Sequence, residues 1–325
     1  LIYPEVLAAH EIEEALKVNW LRYHITLCNG ALELCVVKVR EGAQVLGKKF
    51  LSGFFGHGLY RVVAIKRGQD TIIPRGNDEI MVGDMVYAVC TRENMKVLRE
   101  HTGKQKREIK NIIVYGASRI AQKAVQELPE GMSIKILEAN RDLCYHISDK
   151  VNNALIINAD GSDMNSLQEE GIQDADAFIA VADRSEGNIF DCLAAKRFGV
   201  KKTIAEVENI DYIPMAEALD IGTVLNKKTI TAAYIYQMLL DASVLNVRNL
   251  TSADAEIVEF VAAEGNRITK HKIRELDLPE EVNIGAIVRA GEGILVNGET
   301  LILPGDHVVV FCKQQAIRQM EKYFR

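Results

Sequence analysis

The chain has 325 residues, 48% of them apolar and 26% charged, with a formal net charge of −6. That balance describes a globular protein of two or three domains rather than a disordered chain, and the mild acidity without any basic block excludes nucleic acid as the expected partner. No run reaches the roughly 20 uninterrupted apolar residues of a spanning helix.

The chain opens "LIYPEVL", without an initiator Met or a signal peptide, and reads as processed or cut from a longer parent. A first helix follows in "YPEVLAAHEIEEAL", with Val6, Ala9, Ile12 and Leu16 as its apolar stripe. Next comes "VVAIKRGQDTIIPRGNDEIMVGDMVYAVC" at 62–90, which aligns without gaps to "IGAIVRAGEGILVNGETLILPGDHVVVFC" at 284–312. Ala64, Ile65, Arg67, Gly76, Gly83, Asp84 and Cys90 match Ala286, Ile287, Arg289, Gly298, Gly305, Asp306 and Cys312. Each copy predicts strand, Gly-containing turn, strand, Gly-Asp turn and β-branched strand. A short amphipathic helix closes each, "RENMKVLREH" in one and "QQAIRQMEKYF" in the other. Asp84 and Asp306 therefore read as turn residues rather than catalytic carboxylates, and the other polar residues of the repeat as turn chemistry.

From 110 onward strands alternate with helices. Continuous apolar strands such as "NIIVY" and "AFIAVA" are what a parallel sheet buried on both faces requires. The expected fold is a Rossmann-like doubly wound α/β domain accompanied by two small α+β domains. A second copy of the first helix, "KKTITAAYIYQMLL", carries Ile230, Ala233, Tyr236 and Leu240 at matching spacing. Because it follows a full α/β domain, the first helix is expected to have followed one too, in the longer parent. The expected boundaries are a helical remnant at 1–30, a small domain at 31–107, the Rossmann-like domain at 108–228, a crossover helix and linker at 229–254, and a second small domain at 255–325.

In such a sheet a ligand sits beyond the strand ends, at the switch point beside the first strand. "GASRIA" at 116–121 stands where Gly-x-Gly-x-x-Gly is expected, with Gly116 for the bend and Ala121 where helix meets sheet. Ser118, at the second glycine position, adds a Cβ where phosphate would approach. The amides of Ser118, Arg119 and Ile120 face an anion whatever their side chains, and Arg119 adds charge. Glu138 ends the second strand 22 positions after Gly116, suited to ribose hydroxyls and repelling a 2′-phosphate, so NAD(H) or an adenine nucleotide is favoured over NADP. Arg141 suits adenine or phosphate, and Asp160 closes the third strand on the same crevice.

The six cysteines, Cys28, Cys35, Cys90, Cys144, Cys192 and Cys312, have no Cys-x-x-Cys pair and no histidine at ligand spacing, and read as reduced, mostly buried residues. No metal site is expected. A dehydrogenase would need a proton donor or acceptor beside the cofactor, and His146, His271 and His307 all fall away from the fourth strand. The expected protein is not an enzyme. An assembly module with a decayed nucleotide site stays open.

The segments "NIIVYGASRIAQKAVQEL", "IKILEANRDLC", "NADGSDMNSLQEEGIQDADAFIAVADRSEGNIF" and "CLAAKRFGVKKTIAEVEN", with the Gly-Asp turn of the repeat, resemble the RCK domains that regulate potassium conductance. The doubled arrangement resembles the cytosolic regulatory subunits of Trk-type bacterial potassium uptake, over essentially the whole chain. The resemblance implies binding of NAD(H), or ATP or ADP, and assembly into a homo-oligomeric dimer or larger ring. It also implies a membrane potassium channel as partner and a cytoplasmic place at the inner face of the membrane. Carried over by position, the nucleotide contacts are Gly116, Ala117, Ser118, Arg119, Ile120, Glu138, Arg141 and Asp160, with Ala182 and Asp183 after the fourth strand. Glu206 stands where such proteins often carry Arg.

Overall fold

A computed structural model describes residues 2–239, 244–249 and 255–325. Helix α1 (Pro4–Lys17) is followed by strands β1 (Tyr23–Leu27), β2 (Leu32–Lys38), β3 (Tyr60–Arg67), β4 (Asp70–Ile72) and β5 (Met85–Cys90), then α2 (Met95–His101). The central run is β6 (Asn111–Tyr115), α3 (Arg119–Glu127), β7 (Ser133–Glu138), α4 (Arg141–Ser148), β8 (Leu155–Asn158) and α5 (Met164–Glu169). It continues through β9 (Ala177–Ala180), α6 (Ser185–Arg197), β10 (Lys202–Glu206), α7 (Ile213–Ala218), β11 (Thr223–Leu225) and α8 (Lys227–Leu239). The chain closes with β12 (Val244–Asn249), β13 (Glu256–Val261), β14 (Val282–Arg289), β15 (Glu292–Leu295), β16 (His307–Cys312) and α9 (Ile317–Glu321).

Two compact units result, residues 1–19 with 106–232, and residues 20–105 with 233–325. The first carries a parallel sheet of order β11-β10-β9-β6-β7-β8. Its first strand therefore lies between the second and the fourth, and the order reverses between β6 and β9, which makes their carboxyl ends the switch point. The expected doubly wound sheet is present, and its core strands are apolar because helices cover both faces: Ile112, Ile113 and Val114 of β6 and all of β9 are buried. On one face, α1 lies on α3 through Ala8, Ala9, Ile12 and Leu16, in a cluster with Ile120, Ala124 and Val125. Ile12 and Leu16 each contribute about 1.5–3 kcal/mol by burial. Val6, expected in that stripe, is 37% exposed, and Ala8 takes the inward place instead.

The second unit contains two five-stranded antiparallel sheets of matching order, β1-β2-β5-β3-β4 and β12-β13-β16-β14-β15. The internal repeat extends to fine detail. A bulge between Val62 and Ala64 recurs between Ile284 and Ala286. Arg67 clamps buried Asp84 through Nε at 2.9 Å and Nη2 at 2.7 Å, and Arg289 clamps Asp306 at 2.8 and 2.7 Å. Asp84 and Asp306 also accept from the amides of Met81 and Leu303, so each carboxylate closes its turn while the arginine neutralises its buried charge. The two sheets share one core of Leu34, Tyr87, Ile257 and Phe311 among others. A Cβ on Gly285 would lie 2.9 Å from Val63 of the other copy, so this contact accepts valine on one side only.

Two strands lie where the sequence predicted none. Tyr23–Leu27 falls in the stretch read as helical remnant, yet pairs with β2 from Tyr23↔Val36 to Leu27↔Leu32. Val244–Asn249 falls in the stretch read as linker and pairs with β13. Each stands at the edge of its sheet, with a single strand neighbour to mark it. The remaining linker positions, 240–243 and 250–254, lie outside the described residues.

Candidate nucleotide site

Strand β6 ends at Tyr115, and the chain turns sharply at Gly116, whose φ is +101°. Only glycine fits: a Cβ there would stand 2.7 Å from the backbone N and Cα of Ala182, at the end of β9. The Gly116 amide donates to the Leu137 carbonyl at 2.9 Å, and the Ala117 amide donates to Oε2 of Glu138 at 2.8 Å. Oε1 of Glu138 accepts from the Asn140 amide at 2.8 Å. One carboxylate at the end of β7 thus ties the glycine turn to the loop that opens α4. Each oxygen keeps a second lone pair, so Glu138 is held in place and still able to accept from ribose hydroxyls.

Ser118 has φ −73° and ψ 168°, a region open to every residue, so glycine's freedom is not required there. Its Oγ accepts from the Ala121 amide at 3.3 Å and caps α3. Arg119 is exposed at the first position of the helix, whereas the Ile120 side chain is in the core, leaving only its amide for a ligand. Arg141 is turned onto its own helix, donating to the Tyr145 hydroxyl at 3.0 Å. Asp160 accepts from the Ser162 hydroxyl at 2.7 Å and amide at 2.9 Å, and from the Tyr115 hydroxyl at 3.2 Å. The Ser162 donors hold its carboxyl below the usual range. Gly116, Ala117, Glu138 and Ala182 are therefore joined by contact, Asp160 is joined to β6 through Tyr115, and Arg141 stands apart. Asp183 is exposed and lines a neighbouring open cleft of about 670 Å³ with Ser185, Glu208, Asn209 and Lys228.

Three residues without a role in the sequence reading organise the far side of the site. Asn188, fully buried on α6, accepts from the Ala182 amide at 3.1 Å and donates to the Ala182 carbonyl at 2.8 Å and the Glu206 carbonyl at 2.9 Å. It locks the loop after β9 to the end of β10. Glu206 is itself buried and paired with Lys227 at 3.0 Å. Burial raises its carboxyl more than Lys227 lowers it. Asp191, one turn beyond Asn188, is 5% exposed with Oδ2 unpartnered, and burial followed by the charge of Asp160 pushes it up to about 7. Asn188 stood in a segment whose resemblance was noted, while Asp191 and Lys227 carry no local signal.

Residues 112–227 match the model of the TrkA-N domain, and residues 35–103 and 257–325 match that of the TrkA-C domain. The chain is 25% identical over 331 residues to the Trk system potassium uptake protein TrkA of Halomonas elongata, with 100% of this chain and 72% of that protein covered. It is 29% identical over 327 residues to TrkA homolog 1 of Methanosarcina mazei, with 100% and 73% covered. Among solved structures it resembles the GsuK RCK domain, with a TM-score of 0.52 at 16% identity and 99% of this chain and 69% of that chain covered. A GsuK channel bound to NAD gives a TM-score of 0.50 at 16% identity, with 99% and 57% covered. At that identity these structures establish the fold alone.

Proposed function

The chain belongs to the family of proteins built from TrkA-N and TrkA-C domains, and on that premise we propose that it is a nucleotide-sensing regulatory subunit of potassium uptake. The ligand is NAD(H), with ATP or ADP as the alternative, held between the Gly116 turn and Glu138. The observation that carries this reading is the Glu138 carboxylate, fixed by the amides of Ala117 and Asn140 at the switch point of the sheet. A carboxylate spent only on closing a turn has no need of that position, whereas a ribose 2′,3′-diol does.

The Ser118, Arg119 and Ile120 amides take the pyrophosphate at the α3 N-terminus, and Asp160 stands at the adenine end. Ala182 and Asp183 border the second half of the ligand. Occupancy is read out through Asn188, which couples Ala182 to the end of β10, and through the Glu206–Lys227 pair, which couples β10 to the start of α8. Regulation follows if the ligand favours one arrangement of these loops over another. Two TrkA relatives are named for Trk potassium uptake, which supports a membrane potassium channel of that type as partner. A homo-oligomer acting from the cytoplasmic face follows from the same reading. Among the described residues no helix is long and apolar enough to cross a membrane.

Thermal unfolding with NADH, NAD+, ATP and ADP tests the reading. A ligand of the folded state at 100 times its Kd adds about 2.7 kcal/mol, so a clear rise in Tm is expected for at least one of them. No shift with any at millimolar concentration leaves an assembly module with a decayed site. Sustained hydride transfer to a simple substrate would make the protein an oxidoreductase instead. Ser118→Gly, which costs only a few tenths of a kcal/mol as a cap, is expected to tighten binding by removing the Cβ beside the phosphate.

A further inference from the structure

Away from the crevice, where α1 lies on α3, three ligating side chains converge. His10 and Glu13 stand three residues apart on α1, and Glu127 is the last residue of α3. Nδ1 of His10 is 3.4 Å from Oε2 of Glu13 and 3.7 Å from Oε2 of Glu127, and one ligand atom from each of the three residues lies within 4.8 Å of the others. Oε2 of Glu127 is shut off from water and has no hydrogen-bond partner. The Glu127 side chain as a whole is 31% exposed, so it is this one oxygen that lacks a partner, and a cation beside it would supply one. Glu13 is already divided between two tasks: Oε1 pairs with Lys17 at 3.0 Å, which orients the carboxylate and leaves Oε2 facing the imidazole.

We propose that His10, Glu13 and Glu127 form a divalent-metal site that pins α1 to α3. A zinc ion binds imidazole nitrogen and carboxylate oxygen at about 2.0–2.2 Å, so neighbouring ligands of a tetrahedral site stand about 3.3–3.6 Å apart. The His10–Glu13 separation of 3.4 Å falls in that range and the His10–Glu127 separation of 3.7 Å lies just above it, too long for a good hydrogen bond, so a small inward shift of Glu127 completes the set. One nitrogen and two oxygens suit Zn2+ or a neighbouring first-row ion better than Ca2+, which takes six to eight oxygens. His10 is 71% exposed on its side chain, so the ion is reached from solvent and its fourth position is open to water. Lys17 acts as the outer partner that fixes one ligand. Nothing in this assignment depends on a nucleotide in the crevice.

The test is calorimetric titration of the full, chelator-treated chain with ZnCl2 at neutral pH. Binding that saturates near one ion per chain is expected, with a rise in Tm. His10→Ala and Glu127→Gln should each weaken it by about tenfold or more, the scale on which metal sites respond to perturbed ligation. His10 is exposed, so its variant should keep the far-UV circular dichroism and metal-free Tm of the parent. His57→Ala and His101→Ala, which alter a separate histidine pair 5.5 Å apart between ring centres, should leave binding intact. The assignment is overturned by no binding at about 100 μM Zn2+, a concentration far above what structural zinc needs. It is overturned equally if His10→Ala binds like the parent, or if affinity follows His57 and His101 instead. A Tm that depends on His10 but not on Zn2+ would make the cluster an ion pair only.

Discussion

Asp191→Asn isolates the energetic consequence of a buried carboxyl beside the proposed nucleotide crevice. Asp191 is 5% exposed, its Oδ2 has no partner, and burial with the nearby charge of Asp160 moves it from 3.8 up to about 7. Three pK units at about 1.36 kcal/mol each set a ceiling of about 4 kcal/mol on the penalty of ionising it in the folded state. The sign follows from linkage. Below about pH 3 the group is protonated whether folded or not, and contributes nothing to pH dependence. Between about pH 4 and 7 the folded chain keeps a proton that the unfolded chain releases, so stability falls as pH rises. Above 7 both states are ionised and the whole penalty is present. Asparagine reproduces the neutral form, so the variant should gain up to about 4 kcal/mol at pH 8 and only about 1 kcal/mol near pH 4.5. At about 2–4 °C per kcal/mol for a domain of this size, that gain is roughly 10 °C in the unfolding transition of the α/β unit. Scanning calorimetry at the two pH values measures it. An advantage that is equal at both, or a variant less stable at pH 8, refutes the argument that Asp191 is destabilised by its own ionisation.

Gly116→Ala places a Cβ 2.7 Å from the Ala182 backbone at φ +101°, and should cost about 3 kcal/mol in urea unfolding together with all nucleotide-induced stabilisation. Asn188→Ala removes three hydrogen bonds from a buried position and strands the Ala182 and Glu206 backbone groups; a loss of about 3 kcal/mol is expected, and under 1 kcal/mol would mean that water replaces the amide. Arg289→Ala leaves Asp306 buried with only its backbone partner, and should cost about 3 kcal/mol. The same change at Arg67 should cost a similar amount, and denaturant midpoints that differ widely would show that the two repeats are not energetically alike.

Much of the architecture was legible in the chain because it rests on local periodicity. The runs "NIIVY" and "AFIA" can be buried on both faces only inside a helix-covered sheet, and the 222-residue offset between Gly83-Asp84 and Gly305-Asp306 announced two copies of one small fold. The glycine turn was equally visible, since a residue at φ +101° against another strand must be Gly. The edge strands Tyr23–Leu27 and Val244–Asn249 were not visible, because an edge strand is defined by the neighbour it pairs with. Ser118 was read from its sequence position as adding a Cβ where phosphate would approach, whereas its second task as the cap of α3 shows only in the backbone angles and the Ala121 amide contact.

The sequence by itself determined which strands are core, where the chain turns at the switch point, and that a carboxylate follows 22 residues later. Only the tertiary structure decided that Glu138 is clamped by Ala117 and Asn140, that Asn188 ties β9 to β10, that Asp191 is sealed without a partner, and that Glu127 meets His10. Spacing along a helix or strand is written in consecutive residues, whereas desolvation and the meeting of polar groups from different elements depend on the three-dimensional packing that brings them together.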